Sequence, residues 1–279
     1  MREIYGFDSY SPKEIAERVQ SAGVVKARLP LLQTAMLGML AGAFIGLGAL
    51  YYALVVSDAS LGFAMSRVLG GVCFSMGLLF VVVAGAELFT GNNLLAMAWA
   101  EGTITSSELL RNWVIVCFAN FVGALGVALL VFLSGHWQLN DGAIGQTYLK
   151  IAAGKAALDP WAAFFRGVLC NLLVCMAVWM AMSGRSVVDR FVAIVLPISG
   201  FVAAGFEHSV ANMYFFPMAL MIKSLDGPMP AGADAITVSA MFSNLGLVIA
   251  GNLVGGSVLV ALVYWVIYLR GARKETGSD

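Results

Sequence analysis

Two stretches of the chain carry matching residues at matching spacing. Ala84-Gly85-Ala86-Glu87-Leu88-Phe89-Thr90-Gly91-Asn92 and Ala204-Gly205-Phe206-Glu207-His208-Ser209-Val210-Ala211-Asn212 both hold Gly-x-Glu, and both place an asparagine five residues after the glutamate. Each lies inside strongly apolar sequence. A charged side chain at the centre of a bilayer costs roughly 2.5–3.5 kcal/mol on insertion scales. Two glutamates at equivalent positions therefore mark a duplicated unit with an interrupted helix in each copy. Paired broken helices in the two halves of a membrane protein point to a solute site near the midplane. The chemistry implied is recognition and passage of a small solute, by a channel or transporter.

His208 is the most informative single residue. It is one of two histidines; the other, His136, falls in a loop. A histidine in a membrane break can donate to an anion, and it can exchange a proton because its unperturbed pKa of about 6.5 lies where modest perturbation switches its charge. The plainer alternative is a neutral ring that satisfies a freed carbonyl. Thr90 is the counterpart in the other break, where a hydroxyl can donate to a small oxyanion. Helix N-termini beyond the breaks, near Gly91 and Val210, turn positive dipole ends toward the midplane. Glu87 and Glu207 are expected to support the broken backbone by accepting from freed amides, not to touch an anion. Asn171, within Leu169-Cys170-Asn171-Leu172-Leu173-Val174, either donates into the pathway or bridges helices. Lys155 stands in an outer loop before an apolar segment, where a lysine at a pore mouth raises the local anion concentration. Phe74, Leu78, Phe89 and Phe201 lie near the breaks. Apolar side chains can gate by dewetting, although on spacing alone plain packing is the better reading of each.

These residues must be positioned by membrane helices. The chain is 60% hydrophobic and only 11% charged, against about 25% charged in soluble domains, and that deficit along the whole length means a polytopic membrane protein. The net charge is zero, so there is no basic face for nucleic acid. Met1 to Arg28 is polar and amphipathic and lacks the apolar core and cleavage site of a signal peptide. It reads as a helix on the membrane surface. The four cysteines sit in apolar segments, without a Cys-x-x-Cys pair or a histidine at ligand spacing. They read as small apolar residues, and neither a metal nor a cofactor is expected.

A spanning helix needs about 20 mainly apolar residues. Six segments qualify, at about 30–56, 66–99, 109–134, 160–182, 188–221 and 238–268. The second and fifth are too long for one span and hold the two interruptions. The expected organisation is an N-terminal segment over 1–29, a six-span unit over 30–269 and a C-terminal tail over 270–279. With the N-terminus inside, Arg2, Lys13, Arg18, Lys26, Arg28, Arg111, Arg185, Arg190, Arg270, Arg273 and Lys274 fall on the inner side, eleven of the sixteen basic residues. The positive-inside rule then makes both termini cytoplasmic. Three spans per half is an odd number, so the second half must be inverted. Ala119-Asn120-Phe121-Val122-Gly123 echoes Gly251-Asn252-Leu253-Val254-Gly255, and Gly38 and Gly42 match Gly167 and Asn171. The glycines at four-residue spacing, Gly38, Gly42 and Gly46, then Gly251 and Gly255, are assigned to close helix packing.

At these residues the sequence resembles a known family. Glu87-Leu88-Phe89-Thr90, Cys170-Asn171-Leu172-Leu173-Val174-Cys175-Met176-Ala177-Val178-Trp179 and Gly205-Phe206-Glu207-His208-Ser209-Val210-Ala211-Asn212-Met213 resemble the formate/nitrite transporter family. Ser183-Gly184-Arg185-Ser186 and Tyr264-Trp265-Val266-Ile267-Tyr268-Leu269-Arg270 look like its formate-channel branch. The resemblance runs from the first span to the end of the sixth. It implies an all-α, aquaporin-like fold of six spans with broken second and fifth helices, assembled as a homopentamer in a bacterial cytoplasmic (inner) membrane with one pore per protomer. It implies that His208, Thr90 and Asn171 line the pore and that Lys155 is an outer-vestibule lysine. It places the outer constriction at Phe74 and Phe201 and the inner one at Leu78, Phe89 and Val174. One departure is Gly91-Asn92-Asn93, where formate channels of the family carry Ser and Thr; the resemblance implies that this loop moves.

The reading these features support is a non-enzymatic pore for formate and similar small monovalent anions. Lys155 attracts the anion, and Asn171, Thr90 and His208 replace its lost hydration. Protonation by His208 would let a neutral acid cross the apolar constriction; burial alone disfavours the imidazolium and an approaching anion favours it. The alternatives are a nitrite or hydrosulfide channel, a neutral-solute pore, and, from another class, an intramembrane hydrolase using His208 with Ser209. Lipid and a second copy of the chain are the expected partners, and family analogy adds a soluble formate-producing enzyme at the N-terminus.

Overall fold

The structure is a computed structural model and describes residues 9–225 and 227–270. Parts of the two expected terminal segments, 1–8 and 271–279, lie outside the described residues. Among the described residues, six helices are long and apolar enough to cross a membrane. The first is α2 (Leu31–Val56), following a shorter helix α1 (Pro12–Ala27). The second is α3 (Phe63–Leu79), carried on by a π-helical turn over Phe80–Gly85. It breaks, and the chain resumes as a 3-10 turn (Gly91–Leu95) and the short α4 (Ala96–Ala100). The third span is α5 (Ser106–Leu133), and α6 (Ala143–Ala156) leads to the fourth, α7 (Pro160–Ala181). The fifth is α8 (Val187–Ala204), which breaks before α9 (Ser209–Lys223). The sixth is α10 (Val238–Leu253), a π-helical segment (Val254–Leu262) and α11 (Val263–Tyr268).

Local sequence explains the ends. Ser11 with Glu14 and Thr105 with Glu108 form reciprocal capping boxes at the starts of α1 and α5. Asp159 caps α7 ahead of Pro160, a residue whose missing N–H is harmless in the first turn. Both membrane breaks begin at a glycine of positive φ, +88° at Gly85 and +76° at Gly205, which a Cβ would oppose.

Small residues set the packing. A Cβ on Gly42 would meet the backbone of Asn120 in α5, and one on Gly123 the backbone of Met39 in α2. In the second half a Cβ on Gly251 or Gly255 would meet the backbone of Phe164 or Val168 in α7. The pairs α2–α5 and α7–α10 are thus drawn together in the same way. Large apolar side chains such as Phe118, Leu130, Phe191 and Leu196 stay exposed, as an acyl-chain environment or a neighbouring copy requires.

The N-terminal helix α1 packs against one end of the bundle. It buries Ile15, Ala16, Val19 and Gly23, and its apolar face shares one cluster with Leu94, Met97, Trp179 and Val260. Gly23 lies so close to Ala98 that a Cβ would stand 3.1 Å from that side chain. The helix closes one end of the bundle because its small residues fit there.

Candidate functional site

Each break is held by one buried asparagine from the neighbouring span. Asn120 of α5 accepts from the Phe89 N–H through Oδ1 at 2.8 Å and donates through Nδ2 to the Glu87 and Gly38 carbonyls at 2.9 and 2.7 Å. Asn252 of α10 accepts from the Ser209 N–H at 3.0 Å and donates to the Glu207 and Gly167 carbonyls at 3.0 and 2.8 Å. The Glu87 N–H donates to Leu37 and the Glu207 N–H to Arg166, each at 3.2 Å. Backbone groups freed by a break must find partners inside the protein, and those of Glu87, Phe89, Glu207 and Ser209 find them here.

The glutamates therefore do not take the freed amides, contrary to the sequence expectation. Glu87 Oε1 pairs with Lys26 Nζ at 2.7 Å, and its Oε2 accepts from Asn92 Nδ2 at 2.7 Å. Asn92 Nδ2 also donates to Asn112, whose own Nδ2 donates to the Lys26 carbonyl. Glu207 Oε1 pairs with Lys155 Nζ at 2.9 Å, and its Oε2 accepts from Asn212 Nδ2 at 2.7 Å. Asn212 Nδ2 donates to Asn244, and Asn244 to the Lys155 carbonyl. The same four-residue chain thus braces both breaks. It makes α1 the counterpart of α6 and Lys26 the counterpart of Lys155.

Between the breaks Thr90 Oγ1 and His208 Nε2 lie 3.1 Å apart. His208 caps α9, its Nδ1 accepting from the Ala211 N–H at 3.1 Å. In the neutral ring the proton then sits on Nε2, so Nε2–H donates to Thr90 and the threonine hydroxyl keeps its own proton to give. The N-terminus of α9 directs its positive dipole end at the same place. Phe201 stacks on His208 with centroids 5.8 Å apart, and Phe74 meets Phe201 edge-on at 5.8 Å and His208 at 6.4 Å. Leu78, Phe89 and Val174 are buried in the same apolar cluster.

A cavity on one side reaches His208, and a second on the other side stops at Leu78 and Gly91, next to Thr90. The first, of about 540 Å³ on the α6 face, is lined by Phe74, Lys155, Phe201, Glu207 and His208 among others. The second, of about 450 Å³ on the α1 face, is lined by Lys26, Leu78, Glu87, Gly91 and Asn92 among others. Thr90, Phe89 and Val174, all buried, occupy the stretch between.

Asn171 takes the second of its two sequence readings. Its Nδ2 lies within reach of three protein acceptors, Thr90 O at 3.2 Å, Asn93 Oδ1 at 2.7 Å and Asn252 O at 2.7 Å. With two protons and three acceptors, it bridges helices and supports the Thr90 carbonyl, which also accepts from the Cys175 thiol. Asn93 completes this support: its Nδ2 donates to Phe89 O and its carbonyl accepts from Ser257. Ser209 Oγ is buried without a hydrogen-bond partner among the described residues and does not engage His208, both of whose nitrogens are otherwise used. The hydrolase geometry is absent from this pair.

Sequence reasoning missed Lys26, Asn112, Asn120, Asn244 and Asn252. The signal for Asn120 and Asn252 was their echoed five-residue motifs, which read as a mark of the repeat, with the glycines assigned to packing.

A profile of the family described as Formate/nitrite transporter matches residues 13–266. The formate channel FocA of Escherichia coli strain K12 is 41% identical over 274 residues, covering 95% of this chain and 96% of that one. The probable formate transporter of Methanothermobacter thermautotrophicus is 36% identical over 278 residues, covering 93% and 97%. A solved structure described as a pentameric formate channel with formate bound matches with a TM-score of 0.78 at 35% identity, covering 86% of this chain and 98% of its own. Another, described as an FNT family ion channel, matches with a TM-score of 0.81 at 30% identity, covering 91% and 98%.

Proposed function

The chain belongs to the formate/nitrite transporter family, and we propose that it conducts formate and similar small monovalent anions along the path between its two cavities. The observation that carries this reading is the Thr90–His208 pair, two neutral donors at a helix N-terminus in an otherwise apolar stretch. A monovalent oxyanion needs donors where it sheds water, and a greasy wall elsewhere keeps water from following. Phe74 and Phe201 form the constriction on the α6 side; Leu78, Phe89 and Val174 form the one on the α1 side. Asn171, Glu87 and Glu207 act as supports. The formate channels among its relatives favour formate among small anions.

The resting geometry supports hydrogen-bond donation more directly than a proton relay. A neutral imidazole donating from Nε2 has no proton to give away. A relay requires a second proton on Nδ1, which displaces the Ala211 N–H bond. A proton relay at His208 would require opening of the first turn of α9.

The matched braces support an inverted three-plus-three repeat. The described structure of the solved relative supports a pentamer. Arg28, Arg111, Arg185, Arg190 and Arg270 gather on the α1 side, which supports a cytoplasmic location for that face in a bacterial inner membrane.

Stopped-flow flux into proteoliposomes tests the reading, comparing formate with glycerol, nitrite and hydrosulfide at about pH 5.5 and about pH 7.5, either side of an ordinary histidine. Fast formate flux is the expected result. Glycerol flux exceeding formate flux would replace the anion pore with a neutral-solute pore on the same fold.

A further inference from the structure

The α6-face cavity is lined by four cations, Arg67, Lys150, Lys155 and Arg166, and by one carboxylate among the described residues, Glu207. Lys155 and Glu207 form a pair at 2.9 Å with side chains only 15% and 5% exposed. An approaching anion meets that pair as a near-neutral dipole. The lysine assigned to attraction from its place in the sequence is therefore largely spent on the second break.

Arg67 differs. Its guanidinium is held by three neutral acceptors: Nε donates to Ala203 O at 3.0 Å, Nη2 to Val202 O at 3.0 Å and Nη1 to the Tyr52 hydroxyl at 2.9 Å. No ion pair among the described residues includes it, so its full charge remains. The last turn of α8 that it grips carries Phe201, and its Nη2 lies 2.8 Å from where a Cβ on Gly205 would stand, three residues before His208. Lys150 and Arg166 are exposed, where solvent and salt screen a charge. Arg67 is half-buried and fixed, so its field persists into the cavity.

We infer that Arg67 is an anion-concentrating and positioning residue of the pathway: its uncompensated guanidinium gives the α6-side cavity its positive potential, and its fork pins the α8 turn that carries Phe201. This rests on the anion-pore reading. The two roles separate by substitution. Arg67→Met removes charge and fork; Arg67→Lys keeps the charge but replaces a planar fork with a single point of donation.

The experiment measures formate flux against concentration in proteoliposomes, at low and high concentrations of an impermeant salt, for wild type and both variants. Oligomer size by gel filtration verifies assembly. Arg67→Met is expected to raise the half-saturating concentration about fivefold, the effect of a unit charge on the order of 10 Å away at intermediate effective dielectric. It is also expected to lose most of the salt dependence. Arg67→Lys is expected to keep the wild-type half-saturation and salt dependence while its maximal rate changes at least twofold. Should Arg67→Met fail to assemble, Arg67→Gln, which keeps donors without charge, gives the same half-saturation test. Wild-type half-saturation and salt dependence in the uncharged variant would overturn the inference while leaving the anion pore standing. Absence of formate flux in wild type would overturn both.

Discussion

Asn252→Ala tests the idea that one amide holds each break. Asn252 is fully buried and makes three bonds, at 2.8 and 3.0 Å from Nδ2 and 3.0 Å to Oδ1. The Gly167 carbonyl is a helical group with its own ladder partner nearby. The Ser209 N–H and Glu207 carbonyl sit in the break and have no such alternative. Hydrogen bonds inside membrane proteins average about 0.6 kcal/mol, and a buried group left unpaired costs about 1–3 kcal/mol. Two stranded groups at about 1.5 kcal/mol each give about 3 kcal/mol of lost stability. Reversible unfolding by an anionic detergent in mixed micelles reads this directly. Asn120→Ala is expected to cost the same within about 0.5 kcal/mol, because its three bonds match in kind and length. Asn252→Asp is expected to be at least as damaging as alanine, since it turns an oxygen toward two carbonyls. A loss under about 1 kcal/mol in Asn252→Ala, or a tolerated aspartate, would refute the reasoning.

Other perturbations follow from the same geometry. Lys155→Met leaves Glu207 uncompensated and is expected to cost about 3 kcal/mol; Lys26→Met, at a more exposed pair, about 2 kcal/mol. Adding Glu207→Gln or Glu87→Gln to the respective variant should recover most of the loss in thermal melts. His208→Phe removes the Nε2 donor and is expected to lower the maximal formate flux severalfold; undiminished proton coupling in this variant would exclude a relay at this residue. Asn93→Val deletes one donor and one acceptor at the loop after Thr90, and backbone exchange over Phe89–Leu95 is expected to quicken about fivefold, the equivalent of roughly 1 kcal/mol. Unchanged exchange would mean that backbone contacts alone hold the loop.

Much of the architecture was legible because a bilayer leaves few options. Apolar length and the two misplaced glutamates fix six spans and two breaks, and the positive-φ glycines begin the breaks where the sequence interrupts. What stayed hidden depended on which side chain reaches which. Lys26 and Glu87 are 61 residues apart, and nothing local to α1 says that its last turn faces a break; only the parallel with Lys155 and Glu207, seen in three dimensions, does. The roles of Asn120 and Asn252 stayed hidden for a related reason. Small-residue spacing around Asn120 and Asn252 announces close packing, and close packing is also what brings an amide within 3 Å of a neighbouring backbone. One signal served two causes, so the sequence could not separate them. The π-helical segment at Val254–Leu262 left no mark in hydropathy at all, although it brings Ser257 within reach of the Asn93 carbonyl.

The paired lysines also bear on how an anion leaves. A bare cation beside a dry path would hold a small anion tightly, and conduction requires a site weak enough to be vacated. Each break places a lysine near the path and immediately answers it with a glutamate that is itself locked by an asparagine. The central donors, Thr90 and His208, are neutral in the resting geometry. On the α6 side, among the described residues, uncompensated positive charge lies toward the mouth, at Arg67 and the exposed Lys150 and Arg166. On the proposed reading, charge that gathers ions is thereby separated from donors that replace hydration. On this arrangement, removing mouth charge should change the concentration at which flux saturates, whereas removing a central donor should change the maximal rate. The two classes of variant divide along that line if the separation is the working principle of the pore.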